Sequence, residues 1–186
     1  VLINYSVENR RFEKTPDAFD LALLNKIEES DLADWFPTET LPKGDKMSEP
    51  LRLGMTHLHH FYTKRNLKVL AALRQRCHLH QYLIFQAIVA TLCSKLVRYN
   101  LGRRGNGPLN GTLYLSSLTA EANVLKVFSG KIVDFVKARS VPSSNLISTQ
   151  SATQLSCGDN TIDYIFLDPP FGSNLMYSEL NFLWEA

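Results

Sequence analysis

Asp168-Pro169-Pro170-Phe171 sets a carboxylate, two prolines and a flat ring in four consecutive residues. Two consecutive prolines cannot donate to a sheet ladder, so they end a strand and fix the backbone. The Asp168 carboxylate and the Pro169 carbonyl are then rigid acceptors. Such a pair suits an exocyclic amine: it takes the N–H groups and orients the nitrogen lone pair for attack, while Phe171 stacks on the ring of an extruded base. A tight turn closed by a buried phenylalanine is the plainer reading of the same letters. Context favours the site, because the apolar run Ile162 to Leu167 precedes it and Gly172 and a helical pattern follow it. Cys77, Cys93 and Cys157 all lie away from the prolines in sequence, which speaks against a thiolate nucleophile.

The elements that must position this corner are read from hydrophobic period and punctuation. Val1 to Ser6 and Arg11 to Lys14, on either side of Glu8-Asn9, predict a hairpin. Thr15-Pro16-Asp17 supplies a cap hydroxyl, a first-turn proline and an early carboxylate for a helix reaching about Glu29. Phe36 to Pro50 has three prolines, Gly44 and no apolar period, and reads as a long surface connection. Thr63 opens a helix with Leu67, Val69, Leu70 and Leu73, and Leu79 to Val97 continues it or repacks against it. After a glycine-rich loop from Asn100 to Gly111, the pattern becomes strand at Thr112 to Leu115, helix through Leu125, Phe128, Ile132 and Phe135, then strands at Leu146 to Thr149 and Ile162 to Leu167. That alternation predicts an α/β sheet with Ile162 to Leu167 central and covered on both faces, and Asp168 at its carboxyl end, where open α/β sheets hold ligands.

Charge and cysteine content narrow the classes. Twenty Lys+Arg against 18 Asp+Glu leave +2 over 186 residues, so any polyanion site is local. Three cysteines without a CxxC pair fit no disulfide scaffold and predict a reducing, cytoplasmic setting. Leu79 to Val97 is interrupted by His80, Gln81, Gln86, Thr91, Ser94 and Lys95, too polar to span a membrane. Val1 in place of Met, and an amphipathic run ending at Ala186 without a stop signal, predict a piece of a longer protein.

Other residues invite weaker readings. Lys64 and Arg65 stand at a helix start, where free N–H groups favour phosphate, although an ordinary Thr63 cap with solvated cations explains the same letters. Arg103 and Arg104, near Arg98, form a second basic patch on the glycine-rich loop. Tyr177 could wall a base pocket, while Leu175, Phe182 and Leu183 read as core and Trp184 as an exposed, self-associating residue. His57, His59, His60, Cys77, His78 and His80 lack the spacing of a four-ligand site, so no metal is expected.

Ile162 to Glu185, IDYIFLDPPFGSNLMYSELNFLWE, resembles the catalytic motif region of S-adenosylmethionine-dependent amino-methyltransferases acting on adenine N6 or cytosine N4 in DNA. THLHHFYTKRNLKVLAAL, Thr56 to Leu73, resembles a segment preceding that motif in a subgroup of bacterial DNA methylases. The resemblance implies a partial Rossmann-like methyltransferase domain: hairpin, helix and loop over 1–50, a helical insert over 51–100, and an α/β part over 111–186. It also implies that Asp168, Pro169, Pro170 and Phe171 hold the target amine and its base, with DNA as partner and S-adenosylmethionine as cofactor. Lys64, Arg65, Arg103, Arg104 and Tyr177 are then candidate nucleic-acid contacts. Ser151 falls where related enzymes often have an acid for the cofactor's adenine, a departure from the pattern. No strand followed by a glycine-rich loop precedes Asp168; Gly105, Gly107 and Gly111 have the wrong spacing and follow a helix. The resemblance therefore implies that the cofactor loop belongs to the remainder of the same polypeptide, before Val1, and that the piece alone is inactive. Its rivals are an RNA guanine amino-methyltransferase, where DPPF also occurs, and a noncatalytic nucleic-acid-binding module.

Overall fold

The computed structural model describes residues 2–8, 10–99, 107–139, 145, 147–169, 172 and 176–185. These form a mixed α/β structure. In chain order they are β1 (Ile3–Val7), β2 (Arg10–Lys14), α1 (Ala18–Glu29), α2 (Ser48–Arg52), a 3-10 turn (Leu58–Phe61), α3 (Lys64–Arg76), α4 (Leu79–Val89), α5 (Val124–Arg139) and α6 (Tyr177–Glu185). The strands pair antiparallel with Tyr5 opposite Phe12, and those rings stack at 5.4 Å. Asp17 caps α1: its carboxylate accepts from Asp20 N, and the Asp20 carboxylate in turn accepts from Asp17 N. Asp17, not Thr15, is therefore the cap.

The core gathers around α3 and α4. Thr63 accepts from Asn66 N, and the helix behind it turns Leu67, Leu70 and Ala71 inward. Ile84, Phe85 and Ile88 of α4 meet Val124 and Phe128 of α5, and Leu183 of α6 joins the same cluster. Asn66 is polar and buried, with its amide donating to Cys93 O and Ala122 O at 3.2 Å each. Both donors are thus matched, and α3 is tied to the chain after α4 and before α5.

The stretch expected as a surface connection belongs to this core. Leu41 and Met47 are buried, Pro50 lies in α2, and Leu41 N donates to Thr56 O at 2.9 Å. A nonperiodic segment buries side chains one at a time, so no repeat announces it.

The sheet readings need correction. Residues 112–115, 147–149 and 162–167 have no strand structure, and the only strand pair among the described residues is β1 with β2. Of the predicted sheet, the described residues hold the helices between the strands. A helix closes its hydrogen bonds locally, whereas a strand needs a neighbour to receive its N–H groups. Among the described residues no helix is long and apolar enough to cross a membrane.

Candidate functional site

The approach to the diproline is open to solvent. Tyr164, Ile165, Phe166 and Leu167 are all exposed, Tyr164 at 80% and Phe166 at 77%. The predicted two-sided burial of this run is therefore not realised. Asp168 and Pro169 are also exposed, so the carboxylate is not enclosed in the core. Gly172 follows with φ +57, a left-handed conformation that glycine adopts without a Cβ clash. Pro170, Phe171, Leu175, Arg103 and Arg104 lie outside the described residues.

Beyond the corner, α6 is firmly held. Glu179 accepts from Lys46 N at 2.8 Å and from Met47 N at 3.1 Å. Consecutive N–H groups in a turn make an anion cradle, here filled by a carboxylate from 132 residues away in sequence. Gly44 forms the cradle's wall, and a Cβ there would stand 2.6 Å from Glu179 Oε1. One turn further on, Leu183 is buried, and Trp184, expected to be exposed, is half-buried with its indole N–H donating to Gln86 O at 3.2 Å. Tyr177, at the start of α6, is half-exposed.

The phosphate candidates are engaged within the chain. Glu121 accepts from Thr63 Oγ1 at 2.6 Å and from Arg65 Nε at 3.0 Å, and Arg65 Nη2 lies 2.7 Å from its other oxygen. An acidic side chain thus neutralises Arg65 at the start of α3, while the Thr63 hydroxyl takes the Asn66 N–H of the first turn. Lys64 donates to Glu28 O. Arg98, beside the glycine-rich loop, bridges to Gly107 and Thr119.

Ser151 is exposed, with its hydroxyl 2.8 Å from Thr153 Oγ1 and accepting from Thr153 N. That is a local turn. Among the described residues no glycine-rich loop follows a strand.

His57, His59 and His60 cluster, with the rings of His59 and His60 4.5 Å apart. His60 Nδ1 accepts from Thr56 N at 3.1 Å, which requires a neutral ring. Burial, with His60 and His57 nearby, lowers the pKa of His59; burial also lowers that of His60. Cys93 is buried, and desolvation pushes its thiol up to about 11, an inert state. Glu121 and Glu179 escape sequence reading because each acts on residues more than 50 positions away. Comparison with known proteins adds no family: no family model, no curated protein and no solved structure matches the chain.

Proposed function

We propose that the chain carries the amine-holding part of a DNA amino-methyltransferase with a Rossmann-like catalytic domain, acting on adenine N6 or cytosine N4. The observation that carries this reading is Asp168-Pro169-Pro170-Phe171 behind an apolar run, with Asp168 and Pro169 facing solvent. Asp168 and the Pro169 carbonyl accept hydrogen bonds from the two amine N–H groups and leave the nitrogen lone pair aimed outward, and Phe171 stacks on the base. Since the amine itself is the nucleophile once oriented, the protein need supply no covalent intermediate. The methyl donor in this reading is S-adenosylmethionine.

The exposed run Ile162 to Leu167 supports a further part of the reading. Contiguous apolar surface of this kind marks a face that another surface covers. In this reading the cover is an added sheet surface, and forming it turns the run into a strand and fixes the corner.

The test is Asp168→Ala in the complete protein, assayed for methyl transfer to duplex DNA. Loss of transfer with retained DNA binding is expected. Undiminished methylation removes the assignment, and transfer to RNA but not to DNA moves it to the RNA enzymes.

A further inference from the structure

A cleft remains among α3, α4, α6 and the segment before Pro37, and among the described residues neither Asp168 nor Pro169 lines it. Its volume is about 50 Å³, more than the ~10–15 Å³ one water needs but about a third of the ~150 Å³ cavity that encloses benzene, so a ring here sits partly in the open mouth beside exposed Trp35. Leu67, Leu70 and Phe85 make an apolar floor, a poor place for water. Trp35, Tyr82 and Trp184 supply aromatic faces.

Arg74 is the one charged residue of the lining. Its guanidinium carbon sits 4.1 Å from the centre of the Trp35 ring and 6.0 Å from that of Tyr82. Among the described residues it has no carboxylate partner, whereas nearby Arg76 reaches Asp34. A guanidinium stacked on a ring keeps its in-plane N–H donors free for an anion.

The walls are fixed in advance. Gln86 Nε2 donates to Tyr82 Oη at 2.9 Å and to Trp184 O at 3.4 Å, and the Trp184 indole N–H returns a bond to Gln86 O. Rings held this way lose little freedom when a ligand enters. Tyr62 also lines the cleft, and among the described residues its buried hydroxyl has no hydrogen-bond partner. An unmatched buried hydroxyl is costly unless something completes it.

We propose that this cleft binds a single planar aromatic ring bearing an anionic substituent, with the ring among Trp35, Tyr82 and Trp184 and the anion on Arg74. The shared chemistry has two sources, a monocyclic aromatic acid or a nucleotide, and the titrations below separate them. The site is independent of the methyltransferase reading.

Trp35 and Trp184 are the chain's two tryptophans, so intrinsic fluorescence reports on the cleft. The full chain is titrated with benzoate, and in parallel with benzyl alcohol, acetate and adenosine monophosphate. A saturable change with benzoate is expected, at an affinity at least about tenfold above benzyl alcohol and acetate. Arg74→Gln should lower benzoate affinity by about tenfold or more, and Ala71→Leu, which fills the floor, should abolish it. Arg74 is partly exposed, so its substitution keeps the test valid if Ala71→Leu does not fold. Saturation by adenosine monophosphate but not benzoate overturns the monocycle and assigns the nucleotide. Equal response to benzyl alcohol overturns the role of charge, and no saturation by benzoate or adenosine monophosphate overturns the site.

Discussion

Gly44→Ala tests the contact that holds α6 behind the diproline corner. The backbone at Gly44 is not left-handed, so alanine brings no strain of its own. By reducing the freedom of the unfolded chain it should stabilise by about 0.4–1 kcal/mol. The new Cβ would instead overlap the Glu179 carboxyl group and expel it from the Lys46 and Met47 amides. Hydrogen bonds to a charged group are worth roughly 1.5–3 kcal/mol each, and water replaces part of that at a half-exposed site. A loss of about 2 kcal/mol for the pair, less the gain from alanine, leaves roughly 1–1.5 kcal/mol of destabilisation. For a chain of this size that lowers Tm by about 2–6 °C. In a Glu179→Ala background there is no carboxylate to expel, so the sign reverses and Gly44→Ala should stabilise. Urea unfolding of the four proteins of this cycle measures the coupling directly. The same effect of Gly44→Ala in both backgrounds would refute the cradle.

Four further outcomes are expected. His59 and His60 have lowered pKa values, so the unfolded chain binds more protons; stability is full above about pH 6.5 and falls as pH drops through their folded values. His60→Gln should flatten the pH dependence of urea midpoints between neutral and mildly acidic buffer, and an unchanged slope would contradict the assignment. If the proposed DNA-binding reading holds, then because Arg65 is paired to Glu121, Arg65→Ala should leave the salt slope of DNA binding unchanged, whereas Glu121→Gln should steepen it by about 0.9 by freeing one phosphate contact. Calorimetry on the 186-residue chain should find no micromolar binding of S-adenosylmethionine; finding it would place a cofactor site within these residues. Amides from Ile162 to Leu167 should exchange without protection in this chain, and slowing by more than about tenfold would mean a hydrogen-bonded strand there.

What was legible in the sequence was what the chain settles locally. Thr63 with its cap bond to Asn66, the Pro16-Asp17 start of α1, the hairpin around Glu8-Asn9 and the apolar period of α5 each draw on residues a few positions apart. Even in α5 the period located the helix better than its buried face, since Leu125 is exposed while Val124 is buried. The burial of Met47 and the seating of Glu179 depend on long-range packing that no short window contains. Lys64 and Arg65 show the same limit for function: the sequence marks two cations at the start of α3, but not that Glu121 pairs with Arg65 and that Lys64 donates to Glu28 O.

The diproline corner brings these limits together. Ile162, Tyr164, Ile165, Phe166 and Leu167 are five exposed apolar side chains in six residues. Fully burying each is worth about 1.5–3 kcal/mol, so covering the run is worth on the order of 10 kcal/mol before ordering costs. That matches the whole stability of an ordinary domain, roughly 5–15 kcal/mol. Ordering six backbone residues costs about 1–2 kcal/mol each, a comparable sum. The near balance explains why local apolarity alone does not make a strand here, and why a covering sheet with its own hydrogen bonds would tip it. On the proposed reading, sheet completion and presentation of the Asp168 carboxylate become one event. The held end at Glu179 and the unpaired end at Ile162 then have separate roles, one fixing where the corner sits and the other letting a second surface set its final shape.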